Sequence, residues 1–256
     1  MKKICFLLAL VMLVFPLLSF SSGATSWYCK REKNHVQPTL GADLNFCEKY
    51  DLYWCDKRYN SMDDERVIYL TFDAGYENGN VEKIVDILNE ENVKGAFFVL
   101  DNFLIKNERL VKKMIENGHT IANHTFKHTD MTKIKDKDAF ENELKLLENL
   151  YCEIYGIEMA KFYRPPEGKF NEENLKWASE LGYKTVMWSF AYDDWDNARQ
   201  SNREAAKKKI LDNVHNGEVM LLHPTSKTNA EIIGEVIKEL KNQGFRFGTL
   251  EELCQN

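Results

Sequence analysis

The chain has 256 residues, 44% hydrophobic and 29% charged, which is the profile of an ordinary globular protein of one or two domains. Five prolines and thirteen glycines exclude a collagen-like chain, and no like-charge run or Gly/Ser repeat marks a long linker. A formal net charge of −6 at pH 7 argues against nucleic acid as a partner and leaves a neutral or sugar-like substrate open.

At the N-terminus, Lys2 and Lys3 precede an apolar run from Ile4 to Phe20, broken by Pro16 and followed by Ser22, Gly23 and Ala24. This order of basic, apolar and small residues reads as a secretory signal peptide over residues 1–24. Left uncleaved, the run would act as an N-terminal anchor, being close to the minimum span of a bilayer. No later stretch is long enough to cross one. Loss of the leader removes two lysines and no acid, so the mature chain is more acidic still. Of the cysteines, Cys5 leaves with the leader, and Cys29, Cys47, Cys55, Cys152 and Cys254 cannot all pair within the chain. Export permits disulfides, and Cys47–Cys55 is the candidate local bridge. No CxxC occurs, and no cysteine sits in a lipobox-like setting that would take a lipid anchor.

Residues 25–65 are expected to form an N-terminal extension, irregular through residue 62, lying on the main domain of residues 66–256. From Val67 the chain alternates. Strands are expected at 67–72, 96–100, near 119–123, 161–164, 184–190, 219–222 and 245–249. Helical spacing appears in Val81, Ile84, Val85 and Leu88, in Leu110, Val111, Met114 and Ile115, and over 138–155, 171–182, 201–216 and 229–243. Gly118 ends the second of these helices. Repeated strand–helix units mean a parallel sheet with helices outside. The periodicity fits an open doubly wound sheet and a closed barrel equally.

The polar residues favour the barrel. Asp73 follows the first strand, His124 and His128 the third, Arg164 the fourth, Asp194 the fifth and His223 the sixth. The C-terminal ends of the strands of a closed α/β barrel converge on one mouth, where active sites sit, whereas an open sheet would spread these groups along an edge. Taken singly, each has a bland reading. A histidine pair four apart is common on surface turns, Asp73 could cap a turn before Gly75, Asp194 could be a surface acid beside a core tryptophan, and His223 could be a satisfied core histidine.

Together they make a hydrolytic site. His124 and His128 can aim two imidazoles at one divalent ion, which would polarise a carbonyl and its attacking water. Asp73 can take the proton of that water, with Arg164 holding the carboxylate through two hydrogen bonds. His223 can protonate a leaving amine, with Asp194 setting its tilt. The backbone N–H of Glu167, fixed in direction by Pro165 and Pro166, can face the oxyanion, and Trp195 offers an apolar wall.

Thr71-Phe72-Asp73-Ala74-Gly75, His124-Thr125-Phe126-Lys127-His128, Arg164-Pro165-Pro166-Glu167-Gly168, Asp194-Trp195 and Leu221-Leu222-His223 stand in the order of the five motifs of the polysaccharide deacetylases, and the chain resembles that family (NodB homology, carbohydrate esterase family 4) over about residues 66–250. The resemblance implies a distorted (β/α) barrel with fewer than eight strands, in agreement with the seven strands expected here. Tyr69 through Gly79, including Tyr76, together with Tyr163-Arg164-Pro165-Pro166, Trp188-Ser189-Phe190-Ala191 and an exported extension with His35 and Pro38, is similar to one subgroup, the delta-lactam-biosynthetic de-N-acetylases of spore-forming bacteria. That likeness implies removal of the N-acetyl group from muramic acid on peptidoglycan glycan strands stripped of peptide, leading to muramic δ-lactam in the spore cortex. It implies an exported protein, at the cell envelope or on the forespore side, and no protein partner.

One position departs from the family pattern. The residue after the base aspartate is usually a second Asp, or Asn in the lactam subgroup, that ligates the metal; here it is Ala74, which has no donor atom. His124 and His128 are what remains of the usual triad, with water or Asp101 as the candidate substitute. Zinc is the default for an imidazole-rich site, held weakly, and other divalent ions remain open. Two competing readings follow: a deacetylase of N-acetylglucosamine, in peptidoglycan or another glycan, and a catalytically silent glycan-binding barrel. The retention of Asp73, Arg164, Asp194 and His223 speaks against the silent one, since a binding module has no use for an acid and a base together.

Overall fold

A nine-residue strand, β3 (Arg66–Ala74), is buried along nearly its whole length. Such a continuous apolar run needs cover on both faces, and parallel neighbours with helices outside supply it. The computed structural model describes residues 23–255. The expected signal peptide lies, but for its last two residues, outside the described residues. Among the described residues no helix is long and apolar enough to cross a membrane.

After β3 come α1 (Val81–Glu90), β4 (Ala96–Val99), α2 (Asp101–Lys106), α3 (Glu108–Glu116), β5 (Thr120–Asn123), α4 (Lys137–Tyr155), β6 (Phe162–Tyr163), α5 (Glu172–Glu180) and β8 (Lys184–Val186). The chain continues through α6 (Arg203–Asn213), β9 (Glu218–Leu222), α7 (Lys227–Asn242), β10 (Phe245–Gly248) and α8 (Leu250–Leu253). A short strand, β7 (Lys169–Phe170), lies between β6 and α5. The strands β3, β4, β5, β6, β8, β9 and β10 are the seven that the sequence predicts, and all pair in parallel. The order runs β9-β3-β4-β5-β6-β8, with β10 beside the first half of β3. A parallel bridge between Phe190 and Met220 carries the chain beyond β8 back to β9, so the sheet curls round on itself as a distorted barrel.

The helices pack by the periodicity that predicts them. Val81, Ile84, Val85 and Leu88 of α1 are fully buried in the main apolar cluster, each stabilising the fold by about 1.5–3 kcal/mol. On α4, Asp136 accepts from the N–H of Ala139 at the start, and Gly156, with φ +72°, ends the helix in the left-handed conformation. Where one helix was expected around Leu110, the chain forms two, α2 and α3, meeting at Asn107.

The extension is more ordered than its composition suggests. It holds β1 (Thr25–Ser26), a 3-10 helix over Ala42–Lys49 and β2 (Leu52–Tyr53). Strand β2 adds to the barrel sheet in parallel beside β8, and β1 pairs antiparallel with β7. Trp27 donates its backbone N–H to the Gly168 carbonyl at 2.8 Å and its indole N–H to that of Trp188 at 2.8 Å. Cys29 Sγ lies 3.3 Å from the Ser189 carbonyl oxygen, and Arg31 donates to the Ala191 carbonyl. The expected Cys47–Cys55 bridge is absent: both are buried free thiols in the apolar layer between extension and barrel, and burial pushes each up to about 12.

Candidate active site

Strand β3 presents Thr71 and Asp73 on one face, since alternate residues share a side. Arg164, just past the end of β6, reaches both. Its Nη1 donates to Asp73 Oδ1 at 2.8 Å, and its Nη2 to Thr71 Oγ1 at 2.9 Å and the Met187 carbonyl at 3.3 Å. Its Nε donates to the Val186 carbonyl at 2.8 Å, and the guanidinium lies 4.2 Å from the centroid of the Phe98 ring. Arg164 is fully buried, and such a charge is tolerable only because its donors are met this completely. Burial alone would push the Asp73 carboxyl up, but the Arg164 guanidinium, with His124 and His223, holds it below the usual carboxylate range.

The loop after β5 turns tightly, with Thr125 at φ +70° and His128 at φ +59°. This brings the two imidazoles edge to face, with centroids 5.1 Å apart. His124 is buried, and its Nδ1 bonds the Arg164 carbonyl at 2.8 Å. A carbonyl can only accept, so the proton sits on Nδ1 and Nε2 offers a lone pair 3.7 Å from Asp73 Oδ2. Burial pushes the His124 imidazole down to about 4, against the attraction of Asp73, so the ring is neutral near pH 7, as a metal ligand must be.

On the other arm, His223 follows β9. Its Nδ1 meets Asp194 Oδ1 at 2.7 Å, and its backbone N–H donates to Asp194 Oδ2 at 2.8 Å. Burial would lower the imidazole pKa, but the hydrogen bond to Asp194 and its charge, helped by Asp73, raise it above the ordinary value.

One cavity of about 770 Å³ gathers these groups. Asp73, His124, His128, Glu167, Trp195, Leu221 and His223 all line it. Arg164 and Asp194 stand behind it, buried and bonded to Asp73 and His223. Glu167 takes φ +56° in the turn that follows the two prolines, and Gly168 φ +63°. A Cβ on Gly168 would lie 2.7 Å from Trp188 Cη2, so the turn closes against that ring only because the residue is glycine.

Tyr76, expected against substrate, stands outside that lining: it is exposed, and its hydroxyl accepts from Asn197 Nδ2 at 2.7 Å. Asp101, the candidate replacement ligand, starts α2 and is paired with Lys127, outside the cavity lining. Ala74 is fully buried in the main apolar cluster. Among the described residues no group of three or more His, Cys, Asp or Glu side chains is arranged to hold a metal ion. The two converging imidazoles suit a divalent cation, one ligand short of the three that protein sites for catalytic zinc ordinarily supply.

Thr71, which anchors Arg164, is a site residue that the sequence marks only by its place on the same strand face as Asp73. Tyr192 and Asp193 also line the cavity without a motif of their own. The family model for polysaccharide deacetylase matches residues 60–186. Peptidoglycan-N-acetylmuramic acid deacetylase PdaA of Bacillus subtilis (strain 168) is 39% identical over 229 residues, covering 89% of this chain and 85% of that protein. A peptidoglycan-N-acetylglucosamine deacetylase of Bacillus cereus is 32% identical over 216 residues, covering 83% of this chain and 75% of that protein. The solved structure of Bacillus subtilis PdaA, a family 4 carbohydrate esterase, superposes with a TM-score of 0.83 at 38% identity, covering 90% of this chain and 96% of that one. With the paired carboxylate and imidazole in one cavity, and relatives of this identity matched over most of their length, the chain belongs to the polysaccharide deacetylase family and is a hydrolase of amide C–N bonds.

Proposed function

We propose that the protein removes the N-acetyl group from N-acetylmuramic acid in peptidoglycan glycan strands, the free amine then closing a δ-lactam in the spore cortex. One observation carries the chemistry: Asp73, fixed by Arg164, and His223, fixed by Asp194, open on the same cavity as the two imidazoles. The preference for muramic acid rests on the likeness to the Bacillus subtilis relative. Family members are metal-dependent in general. His124 and His128 would hold the ion, with zinc the expected metal, weakly bound for want of a donor at Ala74. Lewis acidity toward the acetamide carbonyl is what a divalent ion supplies when bound there.

The chain's own residues divide the remaining work. Asp73 accepts a proton from the water whose oxygen bonds to the acetamide carbonyl carbon, and the low carboxyl pKa keeps it ready as a base. The N–H of Glu167, aimed by its left-handed turn, donates to the oxygen that gains charge. His223 delivers a proton to the nitrogen as the C–N bond breaks, leaving acetate and a free amine. Trp195 and Leu221 wall the sugar. Export through the N-terminal leader would bring the enzyme to this substrate.

Mass spectrometry of peptide-stripped glycan strands, digested by the purified protein with and without added zinc, tests the reading. Loss of acetyl from muramic acid, reduced by a chelator and restored by divalent ion, is expected. Loss confined to glucosamine would refute the muramic assignment, and no acetate across a panel of metals would leave a silent glycan-binding barrel.

A further inference from the structure

We propose that Asn229 is a positioning residue for the acid–base pair, its amide clipping Asp194 and His223 together so that His223 presents Nε2 to the cavity. Asn229 sits in the first turn of α7, fully buried, and its own N–H is capped by Ser226 Oγ at 3.1 Å. Its Nδ2 donates to Asp194 Oδ2 at 2.6 Å and to the His223 carbonyl at 3.1 Å. Its Oδ1 accepts from the Tyr192 hydroxyl. The amide can be oriented only this way: a carboxylate and a carbonyl accept, so both need the NH₂, and the phenolic O–H supplies the donor that the oxygen needs.

The consequence lies in what holds Asp194. Its Oδ1 is met by the His223 ring and its Oδ2 by the His223 backbone N–H and Asn229. Without Asn229, every one of these donors belongs to His223, and the carboxylate would ride on the histidine that it has to orient. Asn229 refers the pair to an independent element, α7, and Tyr192 locks the amide against flipping. With Asp194 fixed, Nδ1 keeps the proton and Nε2 is the atom that exchanges protons with substrate.

Nitrogen-15 NMR of histidine-labelled protein, at a pH where the ring is neutral, reads the His223 tautomer directly. The wild type should show His223 protonated at Nδ1. Asn229→Ala should show a mixture of tautomers and a kcat at least about tenfold lower, with KM within about twofold. Tyr192→Phe, which removes one hydroxyl and spares the fold, should move the spectrum the same way with a loss of about threefold or more. A folded Asn229→Ala protein that keeps a single Nδ1–H tautomer overturns the proposal, whatever its kcat. Should that variant fail to fold, Tyr192→Phe decides: an unchanged tautomer rejects the role and a mixed one supports it. The kinetic arm rests on the deacetylase reading and the spectroscopic arm does not. Wild-type protein that releases no acetate therefore sinks that reading alone.

Discussion

The environment of His223 shows how two side chains fix a chemical role. Burial disfavours the imidazolium, yet the Asp194 carboxylate at 2.7 Å outweighs it and keeps the ring protonated to higher pH than a free histidine. The proposed acid must carry its proton, so the raised pKa extends activity on the alkaline side. Asp194→Asn removes the charge and turns the bond, and the His223 pKa falls. We expect kcat/KM to drop by about 10²–10⁴ and its alkaline limb to move to lower pH. A pH–rate profile checks both, and an unmoved limb would show that His223 is not the titrating acid. The sequence singles out these ionisable residues because each stands at the C-terminal end of a strand or in the loop beyond it. What surrounds Arg164 was not, because two of its acceptors are the backbone carbonyls of Val186 and Met187, which leave no mark in a sequence. Tyr76 sits inside a motif, yet it is exposed and outside the cavity lining, a placement that the motif does not reveal.

Among the elements, the long periodic helices and the seven strands of the barrel were readable, and the short strands beside them were not. Helices α4 and α7 follow their apolar spacing to within about two residues, the usual precision of helix boundaries. Strands β1, β2 and β7 are two residues each, too short for alternation to register, and they form because a partner waits for them. The turn at Glu167–Gly168 has little room to spare. Gly168→Ala adds a Cβ at φ +63°, 2.7 Å from Trp188 and 3.0 Å from the Trp27 Cβ. A cost of about 1–3 kcal/mol is expected, measured by urea unfolding, with a fall in kcat as the Glu167 N–H shifts. Wild-type activity in a folded Gly168→Ala protein would free that N–H from any part in catalysis.

For the whole molecule, pH acts through histidines far from the chemistry. His119, at the start of β5, accepts from the Gly95 N–H at Nδ1, and burial pushes its imidazole down to about 4. His215, before β9, bonds the Asn216 carbonyl and Ser189 Oγ, and burial likewise pushes it down to about 4. In the unfolded chain both titrate near 6.5. Between these values the unfolded state binds protons that the folded state refuses, so the stability contributed by these two rings is full above about pH 6.5 and falls as pH drops toward about 4, while Glu218 beside His215, its carboxyl pushed up by burial, acts in the opposite sense. His119→Gln should therefore cost less at about pH 5 than at about pH 7, read as the shift in urea midpoint from wild type at each pH. An equal shift at both pH values would mean that the His119 ring takes up its proton without unfolding.

Near the start of the described residues, the chain fastens alternate residues, Trp27, Cys29 and Arg31, to the carbonyls of Trp188, Ser189 and Ala191. Trp188 and Ala191 belong to the cavity wall. The matched family region begins at residue 60, so a fragment cut to that boundary would retain Asp73, both loop histidines and Arg164 but strip the backing from the pocket. The carbonyl oxygens of Gly168, Trp188, Ser189 and Ala191 would lose these partners, and Gly168 its second neighbour. The smallest unit that keeps the cavity braced therefore starts no later than Trp27, well upstream of Asp73, the first ionisable group to line it.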